Sequence, residues 1–304
     1  DLILIGARPA MGKTSFALNL ARNVAAMGKR KVLFFSLEMT KEQLAQRVLS
    51  TEARVESTKM RTGNISGQEW ANLATATALL SNCELYFDDT SNMTVSEMKS
   101  RIRRLRDVDA VFVDYLQLME TEKKRKDGSR VNEVADISRN LKLMAKDLKV
   151  PVITCAQLNR GTEGRTDKTP MLSDLRESGS IEQDADIVMF TYREEYYLQN
   201  RDPSERLSNT TNNNMVESWQ KRLERARGKA DIIIGKNRHG RPETVRTAFF
   251  GDYSLFDNLD EMEARGESEY AQPAPTITAA SLGPDPEFEP TAIDPDAIPD
   301  DLPL

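Results

Sequence analysis

Short apolar runs alternate with amphipathic stretches along most of the chain. Seven of these runs predict β-strands, because their interiors are free of charged side chains and rich in Val, Ile and Phe. They are Leu2–Ile5, Lys31–Ser36, Glu84–Asp88, Ala110–Asp114, Pro151–Gln157, Asp186–Tyr192 and Asp231–Gly235. Near-continuous apolar runs are typical of strands that helices cover on both faces, so the pattern favours a mostly parallel sheet.

The segments between these runs carry the periodicity of amphipathic helices. Thr94 and Glu97 have the spacing of an N-terminal capping box, as do Thr40 and Gln43. Apolar residues recur at intervals of three and four positions in two segments: Val95, Met98, Ile102 and Leu105, then Val134, Ile137, Leu141, Met144 and Leu148. Strands that alternate with helices predict an α/β fold with a central sheet and flanking helices. A C-terminal antiparallel hairpin is predicted from "TVRTAFF", Gly251-Asp252 and "YSLF".

Composition divides the chain into a body and a tail. Residues 260–304 contain 12 acidic residues, one basic residue and eight of the 13 prolines. Such a segment cannot bury enough apolar surface to fold, so we expect an acidic, proline-rich, disordered tail. Residues 1–259 then carry a net charge of +5 within a total of −6, which is compatible with an anionic partner. In this body, the polar stretch 194–229 is predicted to be an insertion between two strands, with one short helix indicated by Met215, Trp219 and Leu223.

The composition also excludes several kinds of protein. No apolar run approaches the roughly 20 residues of a membrane-spanning helix, and the first residues show no signal-peptide pattern. Cys83 and Cys155 lie in apolar surroundings and are expected to be reduced core residues of a cytoplasmic protein. The single histidine, His239, rules out a multi-histidine metal site. Because the chain begins at Asp1, directly on a predicted strand, we expect a fragment of a longer protein.

A phosphate-binding loop is predicted between the first strand and the first helix. The sequence Ala7-x-x-x-x-Gly12-Lys13-Thr14 matches the P-loop pattern, with Ala7 in place of its first glycine. Backbone N–H groups at the start of the helix would hold phosphates, Lys13 would reach the β- and γ-phosphates of ATP, and the Thr14 hydroxyl would bind Mg²⁺. The predicted cofactor-binding residues of this loop are Ala7, Arg8, Pro9, Ala10, Met11, Gly12, Lys13, Thr14 and Ser15.

Three polar residues lie where predicted strands end, at the edge at which parallel sheets bind ligands. Asp114 ends a buried strand, where a carboxylate is costly unless it is paired or holds a metal ion, so it is a candidate Mg²⁺ ligand. Glu38 suits a base that orients water for attack on a γ-phosphate. Gln157 suits a hydrogen bond to the same phosphate. The alternatives are that Asp114 is an ordinary residue of a strand-end turn and that Glu38 is a solvated residue near the start of a helix.

Three further polar stretches offer groups for anions. "DLRESGSIEQDAD" spans 174–186 and "KKRKDGSR" spans 123–130, and their N–H groups and cations suit a nucleic-acid backbone. Lys236 and Arg238 follow a late strand that sequence order places far from the P-loop. They take part in phosphate chemistry only if a neighbouring subunit brings its P-loop to them. An ordinary solvated surface is the alternative for each stretch.

These motifs, in this order, resemble the motor domain of the DnaB-like family of bacterial replicative DNA helicases. The resemblance covers roughly residues 1–258 and rests on "ARPAMGKTSFALN", "FFSLEM", "VFVDYLQLM", "NEVADISRNLKLMAKDL", "VPVITCAQLNR", "DLRESGSIEQDAD" and "KNRHG". It implies a RecA-like P-loop NTPase fold that hydrolyses ATP with Mg²⁺. It further implies a homohexameric ring, with nucleotide between subunits, that moves 5′→3′ on single-stranded DNA and unwinds duplex at the replication fork.

The resemblance also implies roles for individual residues around the nucleotide. Glu38 becomes the catalytic glutamate and Gln157 the γ-phosphate sensor, beside Lys13 of the P-loop. Lys236 and Arg238 become a basic pair that acts on the nucleotide of a neighbouring subunit. Arg47 becomes a contact on the base side of the nucleotide bound at the P-loop.

Contacts with DNA and with other proteins follow from the same resemblance. Arg176, Glu177 and Gly179 match the loop that follows the DNA backbone, largely through main-chain groups. Primase and a helicase loader are implied partners, and the bacterial cytoplasm, at the nucleoid, is the implied location. The family's N-terminal collar domain is absent from this sequence. There are two alternative functions. Glu38 and the pair Lys236 and Arg238 argue against a RecA-fold nucleotide switch. The 174–186 stretch argues against a recombinase-like DNA-binding ATPase.

Overall fold

The computed structural model describes residues 1–121, 130–200 and 213–259, without the side chains of 176–179 and 213–215. The predicted tail, residues 123–129 of the basic stretch and residues 201–212 of the predicted insertion lie outside the described residues. Strands of one sheet are β1 (Leu2–Ala7), β2 (Val32–Ser36), β3 (Leu85–Asp88), β4 (Ala110–Asp114), β5 (Val152–Gln157), β6 (Ile187–Tyr192), β7 (Lys229–Asn237), β8 (Glu243–Phe250) and β9 (Leu255–Asn258).

Helices precede or follow nearly every strand. They are α1 (Lys13–Ala26), α2 (Lys41–Ala53), α3 (Ser57–Thr62), α4 (Gly67–Ser81), α5 (Val95–Leu105), α6 (Arg130–Leu148), α7 (Gly179–Asp184), α8 (Glu194–Gln199) and α9 (Asn213–Ala226). Short 3-10 helices lie at Leu116–Leu118, Arg160–Gly164, Leu172–Ser178 and Gly251–Tyr253. The predicted capping boxes at the starts of α2 and α5 are both present.

The sheet has the strand order β3-β2-β4-β5-β1-β6-β7-β8-β9. Strands β1 to β6 pair in parallel, whereas β7, β8 and β9 continue the sheet in antiparallel pairs. The predicted α/β fold with a mostly parallel sheet and the C-terminal hairpin β8–β9 is therefore confirmed. The antiparallel part begins earlier than predicted, because β7 is nine residues long and pairs with β6 on one side and β8 on the other.

Two apolar layers cover the sheet. On one face, α1 and α2 pack Phe16, Leu18 and Leu44 against buried strand residues such as Phe34 and Phe112. On the other face, α5 and α6 contribute the periodic positions recognised in the sequence, all buried or nearly so. Because strands such as β4 are covered on both faces, their sequences are apolar at every position before the terminal polar residue.

The described part of the predicted insertion contains α8 and α9. The Trp219 indole N–H donates to the Leu198 carbonyl at 3.1 Å, which fastens α9 to the end of α8. The Gly228 N–H donates to the Glu195 carboxylate at 3.1 Å immediately before β7 begins. These contacts hold α8, α9 and the residue that precedes β7 to one another.

Both cysteines are free thiols. Cys155 is buried in β5, and burial together with the neighbouring Asp114 carboxylate raises its pKa well above the ordinary value. Within the described ranges, no helix is both long and apolar enough to cross a membrane. The same ranges contain no cluster of three or more His, Cys, Asp or Glu side chains that could hold a metal ion.

The start of α4 makes a testable contribution to acid stability. The Glu69 carboxylate accepts hydrogen bonds from the Ser66 N–H at 2.8 Å and from Lys59 at 2.9 Å. The Ser66 backbone hydrogen bond is the main cause that lowers the pKa of Glu69 from 4.5 to about 2. Because the folded-state pKa is depressed, the stabilisation is complete above pH 4.5 and is lost as the pH falls toward 2.

We expect Glu69→Gln to have a lower free energy of unfolding than the parent near neutral pH. In acid, the difference between variant and parent should disappear. Urea unfolding of parent and variant, at several pH values from neutral down through this interval, measures the difference. A difference that stays constant as the medium is acidified would show that Glu69 is not the titrating group.

Candidate nucleotide-binding and hydrolysis site

The N-terminus of α1 is open, unlike those of α2, α4 and α5. Gly12 precedes the helix and makes no side-chain cap, and the first turn contains no acidic residue. The other three helices begin with capping boxes and carry Glu42, Glu69 and Glu97 in their first turns. The first N–H groups of α1 therefore point toward solvent with the positive end of the helix dipole, which is the arrangement that binds phosphate.

Gly12 is required by both conformation and packing. Its φ of 84° lies in the left-handed region, and a Cβ there would come within 2.9 Å of the Phe256 ring. Phe256 belongs to β9 and packs edge-on against Phe16 of α1, with ring centroids 5.2 Å apart. Asn19 fixes this contact, because its side chain donates to the Ser254 carbonyl at 3.0 Å and accepts from the Phe256 N–H at 2.8 Å. The C-terminal hairpin thus supports the P-loop.

Asp114 lies at the centre of the site and is 1% exposed. The Thr14 hydroxyl donates to its Oδ2 at 2.6 Å, and the Lys13 ammonium lies 3.2 Å from its Oδ1. Lys13 also lies 4.0 Å from the centroid of the Tyr115 ring, which follows Asp114. An isolated buried carboxylate would cost several kcal/mol, and Lys13 and Thr14 together offset this cost.

One cleft of about 400 Å³ joins the P-loop to the other predicted groups. Glu38, at the end of β2, and Gln157, at the end of β5, line it together with Lys13 and Thr14. Arg47 of α2 also lines it. The structure therefore brings together side chains from distant parts of the sequence, because parallel strands place their carboxyl ends at one edge.

Hydrogen bonds from neighbouring residues hold the backbone at Glu38 and at Gln157. The Ser36 hydroxyl donates to the Met39 carbonyl at 2.6 Å and accepts from the Met39 N–H at 3.0 Å, which closes the turn that carries Glu38. Gln117 and Gln157 form a reciprocal pair: the Gln117 side chain accepts from the Gln157 N–H and donates to the Gln157 carbonyl, both at 3.2 Å. The Glu38 and Gln157 side chains themselves line the cleft.

Lys236 and Arg238 lie at the other end of the central strands from the P-loop. The end of β7 pairs with the beginning of β6, which in turn lies beside the beginning of β1. The P-loop follows the other end of β1, about one strand length away. Lys236 donates to the Glu182 carbonyl at 2.6 Å and Arg238 to the Gln183 carbonyl at 2.8 Å, so both cations cap the end of α7. Burial and the neighbouring Arg238 lower the pKa of Lys236.

The predicted DNA loop has a described backbone. Arg176 and Glu177 lie in the 3-10 helix Leu172–Ser178, and Gly179 begins α7. Their side chains lie outside the described residues. Asp174 anchors the start of the loop, because its carbonyl accepts from the Asn159 N–H at 3.1 Å.

Comparisons with known proteins identify the family. The family described as DnaB-like helicase C terminal domain matches residues 1–258. The chain belongs to this family. It is 44% identical over 272 residues to the replicative DNA helicase DnaB of Buchnera aphidicola subsp. Baizongia pistaciae (strain Bp), covering 88% of this chain and 53% of that protein. It is 45% identical over 263 residues to the replicative DNA helicase DnaC of Bacillus subtilis (strain 168), covering 86% of this chain and 53% of the relative.

Solved structures agree with this assignment. One solved ATPase domain has a TM-score of 0.73 and 36% identity, covering 85% of this chain and 84% of that one. A DnaB-like replicative helicase studied with primase has a TM-score of 0.72 and 36% identity, covering 85% of this chain and 57% of that one. The predicted family and RecA-like fold are confirmed. The chain spans about half the length of the curated relatives that it matches.

Several residues of this DnaB-like domain line the cleft or contact the P-loop without having been predicted. Phe249 and Ser254 of the C-terminal hairpin region line it. Arg193, directly after β6, donates to the Ala10 carbonyl at 3.3 Å and lies 4.1 Å from the Phe249 ring centroid. The rule that selected Gln157, a polar residue at a strand's carboxyl end, would also have selected Arg193. No comparable sequence signal marks Phe249 or Ser254.

The oxygen atoms beside Lys13 fit a magnesium ion. Asp114 Oδ1 is buried and faces the Lys13 ammonium at 3.2 Å, while Oδ2 accepts from the Thr14 hydroxyl. Mg²⁺ prefers oxygen ligands and is usually held by one or two protein groups together with nucleotide phosphates. Thr14 and Asp114 therefore suit the predicted metal-binding role.

Proposed function

We propose that this chain is the ATP-hydrolysing motor of a replicative DNA helicase, which moves 5′→3′ on single-stranded DNA and unwinds duplex at the replication fork. The observation that carries the proposal is the cleft lined by Glu38, Gln157 and the P-loop, in which Lys13 pairs with the buried Asp114. A nucleotide switch needs phosphate binding alone, whereas hydrolysis also needs a group that orients water, and Glu38 in this cleft is our candidate for it. Membership of the DnaB-like family supports the same function.

The proposed roles combine the chemistry of each residue with what the family resemblance implies. The N–H groups from Ala10 to Ser15 hold the phosphates, and Lys13 exchanges its contact with Asp114 for the β- and γ-phosphates. Thr14 and Asp114 hold Mg²⁺, which when bound neutralises charge that develops on the phosphates. Glu38 accepts the proton of the attacking water, Gln157 donates a hydrogen bond to the γ-phosphate, and Arg47 contacts the base side of the nucleotide.

Hydrolysis requires a second subunit in this proposal. Lys236 and Arg238 are too far from their own P-loop to reach its nucleotide, but they are placed on the far edge of the sheet, where a neighbour can dock. A head-to-tail contact of this kind generates a ring when the rotation closes. We propose a homohexamer in which each Arg238 and Lys236 completes the nucleotide site of the next subunit.

Further partners are proposed on the same grounds. One solved relative is described with its interactions with primase, and we propose that primase and a helicase loader also bind this protein. Work at the replication fork would place it at the nucleoid in the bacterial cytoplasm. Arg176, Glu177 and Gly179 are the proposed contacts with the DNA backbone.

The test of this function combines three measurements on the same preparation: ATP hydrolysis with and without single-stranded DNA, mass in solution, and unwinding of a fork with a 5′ tail. We expect hydrolysis that DNA stimulates, a hexamer, and unwinding with 5′→3′ polarity. Hydrolysis with no response to DNA would favour the nucleotide switch, and filaments on DNA without unwinding would favour the recombinase-like alternative.

We expect Arg176→Ala to weaken DNA binding through the loss of a phosphate contact. The logarithm of affinity should fall with the logarithm of salt concentration by about 0.7 per neutralised phosphate, and the variant should lose roughly one such share. DNA-stimulated hydrolysis and unwinding should fall, while nucleotide binding without DNA is retained. Arg103→Ala, which removes an exposed arginine of α5, is the matched control. Normal unwinding with an unchanged salt slope would remove Arg176 from the DNA-binding loop.

A further inference from the structure

The side chain of Arg8 joins the P-loop to a segment beyond β5. Its Nε donates to Glu163 Oε1 at 3.1 Å, and its Nη2 donates to the same carboxylate. Its Nη1 donates to the Leu158 carbonyl at 2.9 Å. Arg8 is 9% exposed and Glu163 is 53% exposed, so a buried cation of the P-loop holds a surface carboxylate. Arg8 is the main cause that lowers the pKa of Glu163.

Glu163 belongs to a segment that reaches the proposed DNA loop. It lies in the 3-10 helix Arg160–Gly164, and the buried Lys168 ammonium donates to its backbone carbonyl. Arg165, two residues later, donates to the Asp174 carboxylate at 2.8 Å. Asp174 lies in the 3-10 helix Leu172–Ser178, two residues before Arg176. Two ion pairs, Arg8–Glu163 and Arg165–Asp174, therefore connect Arg8 to the start of that helix, and Lys168 joins them through the Glu163 and Arg165 carbonyls.

The backbone of Arg8 belongs to the turn that would bind phosphate. Arg8 is the first residue after β1, and its carbonyl accepts from the Met11 N–H at 3.3 Å. If phosphate binding changes this turn, the Arg8 backbone moves with it. Because the planar guanidinium donates through two N–H groups to one carboxylate, rotation of Arg8 breaks both hydrogen bonds together.

We propose that Arg8 and Glu163 form a positioning pair that couples occupancy of the P-loop to the 172–178 segment, and through it to single-stranded DNA. This inference rests on the proposed function and concerns how its two sites communicate. Coupling of binding is reciprocal, so DNA must change the affinity for nucleotide by the same factor by which nucleotide changes the affinity for DNA. Glu163 touches neither ligand in this scheme, so its loss affects the coupling and leaves each separate site intact.

The experiment measures the affinity of the 304-residue chain for a fluorescent, non-hydrolysable ATP analogue, with and without saturating oligothymidylate. Coupling between two sites is typically about 5–150-fold, and we expect the parent to lie in this range. In Glu163→Gln the ratio should fall toward one, while the affinity without DNA stays at the parent value. Asp174→Asn interrupts the same series of contacts at its far end and should lower the ratio as well.

Glu84→Gln is the matched control, because Glu84 is 55% exposed and pairs with Lys31 at 3.3 Å near the other end of the sheet. It should keep the parent ratio. Full coupling in Glu163→Gln overturns this inference and leaves the proposed function standing. A parent chain that does not bind the analogue, or binds it equally with and without DNA, contradicts the proposed function and removes the basis of this inference.

Discussion

Glu38→Gln should leave nucleotide binding intact and lower the rate of ATP hydrolysis by about 10²–10⁴-fold, the usual contribution of a general base. The amide keeps the size and polarity of the side chain but cannot accept the proton of the attacking water. Glu38 lines the cleft, and the turn that carries it is closed by the Ser36 hydroxyl rather than by Glu38 itself. The substitution is therefore not expected to alter the fold. Binding of a fluorescent nucleotide and the rate of phosphate release are the two measurements.

Two comparisons make this result specific. Glu42→Gln removes a nearby carboxylate, in the first turn of α2, and should hydrolyse ATP at the parent rate. Lys13→Ala should instead lose nucleotide binding, because the phosphates lose their cation and Asp114 loses its charged partner. Parent-like hydrolysis by Glu38→Gln would show that another group is the base.

Arg238→Ala should lower ATP hydrolysis by about 10³–10⁵-fold, the effect of an arginine that stabilises charge in phosphoryl transfer. Arg238 lies at the other end of the strands from its own P-loop. The substitution should therefore impair hydrolysis at the nucleotide site of the neighbouring subunit and not at its own. Mixing Arg238→Ala with Glu38→Gln chains creates interfaces with an intact Glu38 on one side and an intact Arg238 on the other. In a ring with random mixing these are about a quarter of all interfaces.

Mixed rings should therefore recover up to about a quarter of the parent rate, although each variant alone is inactive. Hydrolysis is measured in samples whose mass shows that mixed hexamers form. Arg241→Ala, which removes an exposed arginine in the same loop, is the control and should hydrolyse ATP normally. Absence of recovery in proven mixed hexamers would mean that Arg238 does not act on a neighbour's nucleotide.

The sequence was sufficient wherever a structural requirement is local. Strands such as β4 were predictable because burial on both faces demands apolar residues at successive positions. The starts of α2 and α5 were predictable because a capping box satisfies backbone N–H groups within four residues. The P-loop was predictable because its requirement is also local: Gly12 must adopt a left-handed conformation directly before α1. The gathering of Glu38, Asp114 and Gln157 also followed, because parallel strands align their carboxyl ends.

Contacts between distant segments were decided only by the tertiary structure. Asn19 and Phe256 are 237 positions apart, and nothing in either local sequence indicates that β9 supports the P-loop. The Arg8–Glu163 pair spans 155 positions and depends on how the chain turns after β5. The place of Lys236 and Arg238 depends on the antiparallel register of β6 and β7, which shifts between Val188 and Met189. A residue pattern records the environment of each position, burial and hydrogen bonding included, but it does not record which distant segment supplies that environment.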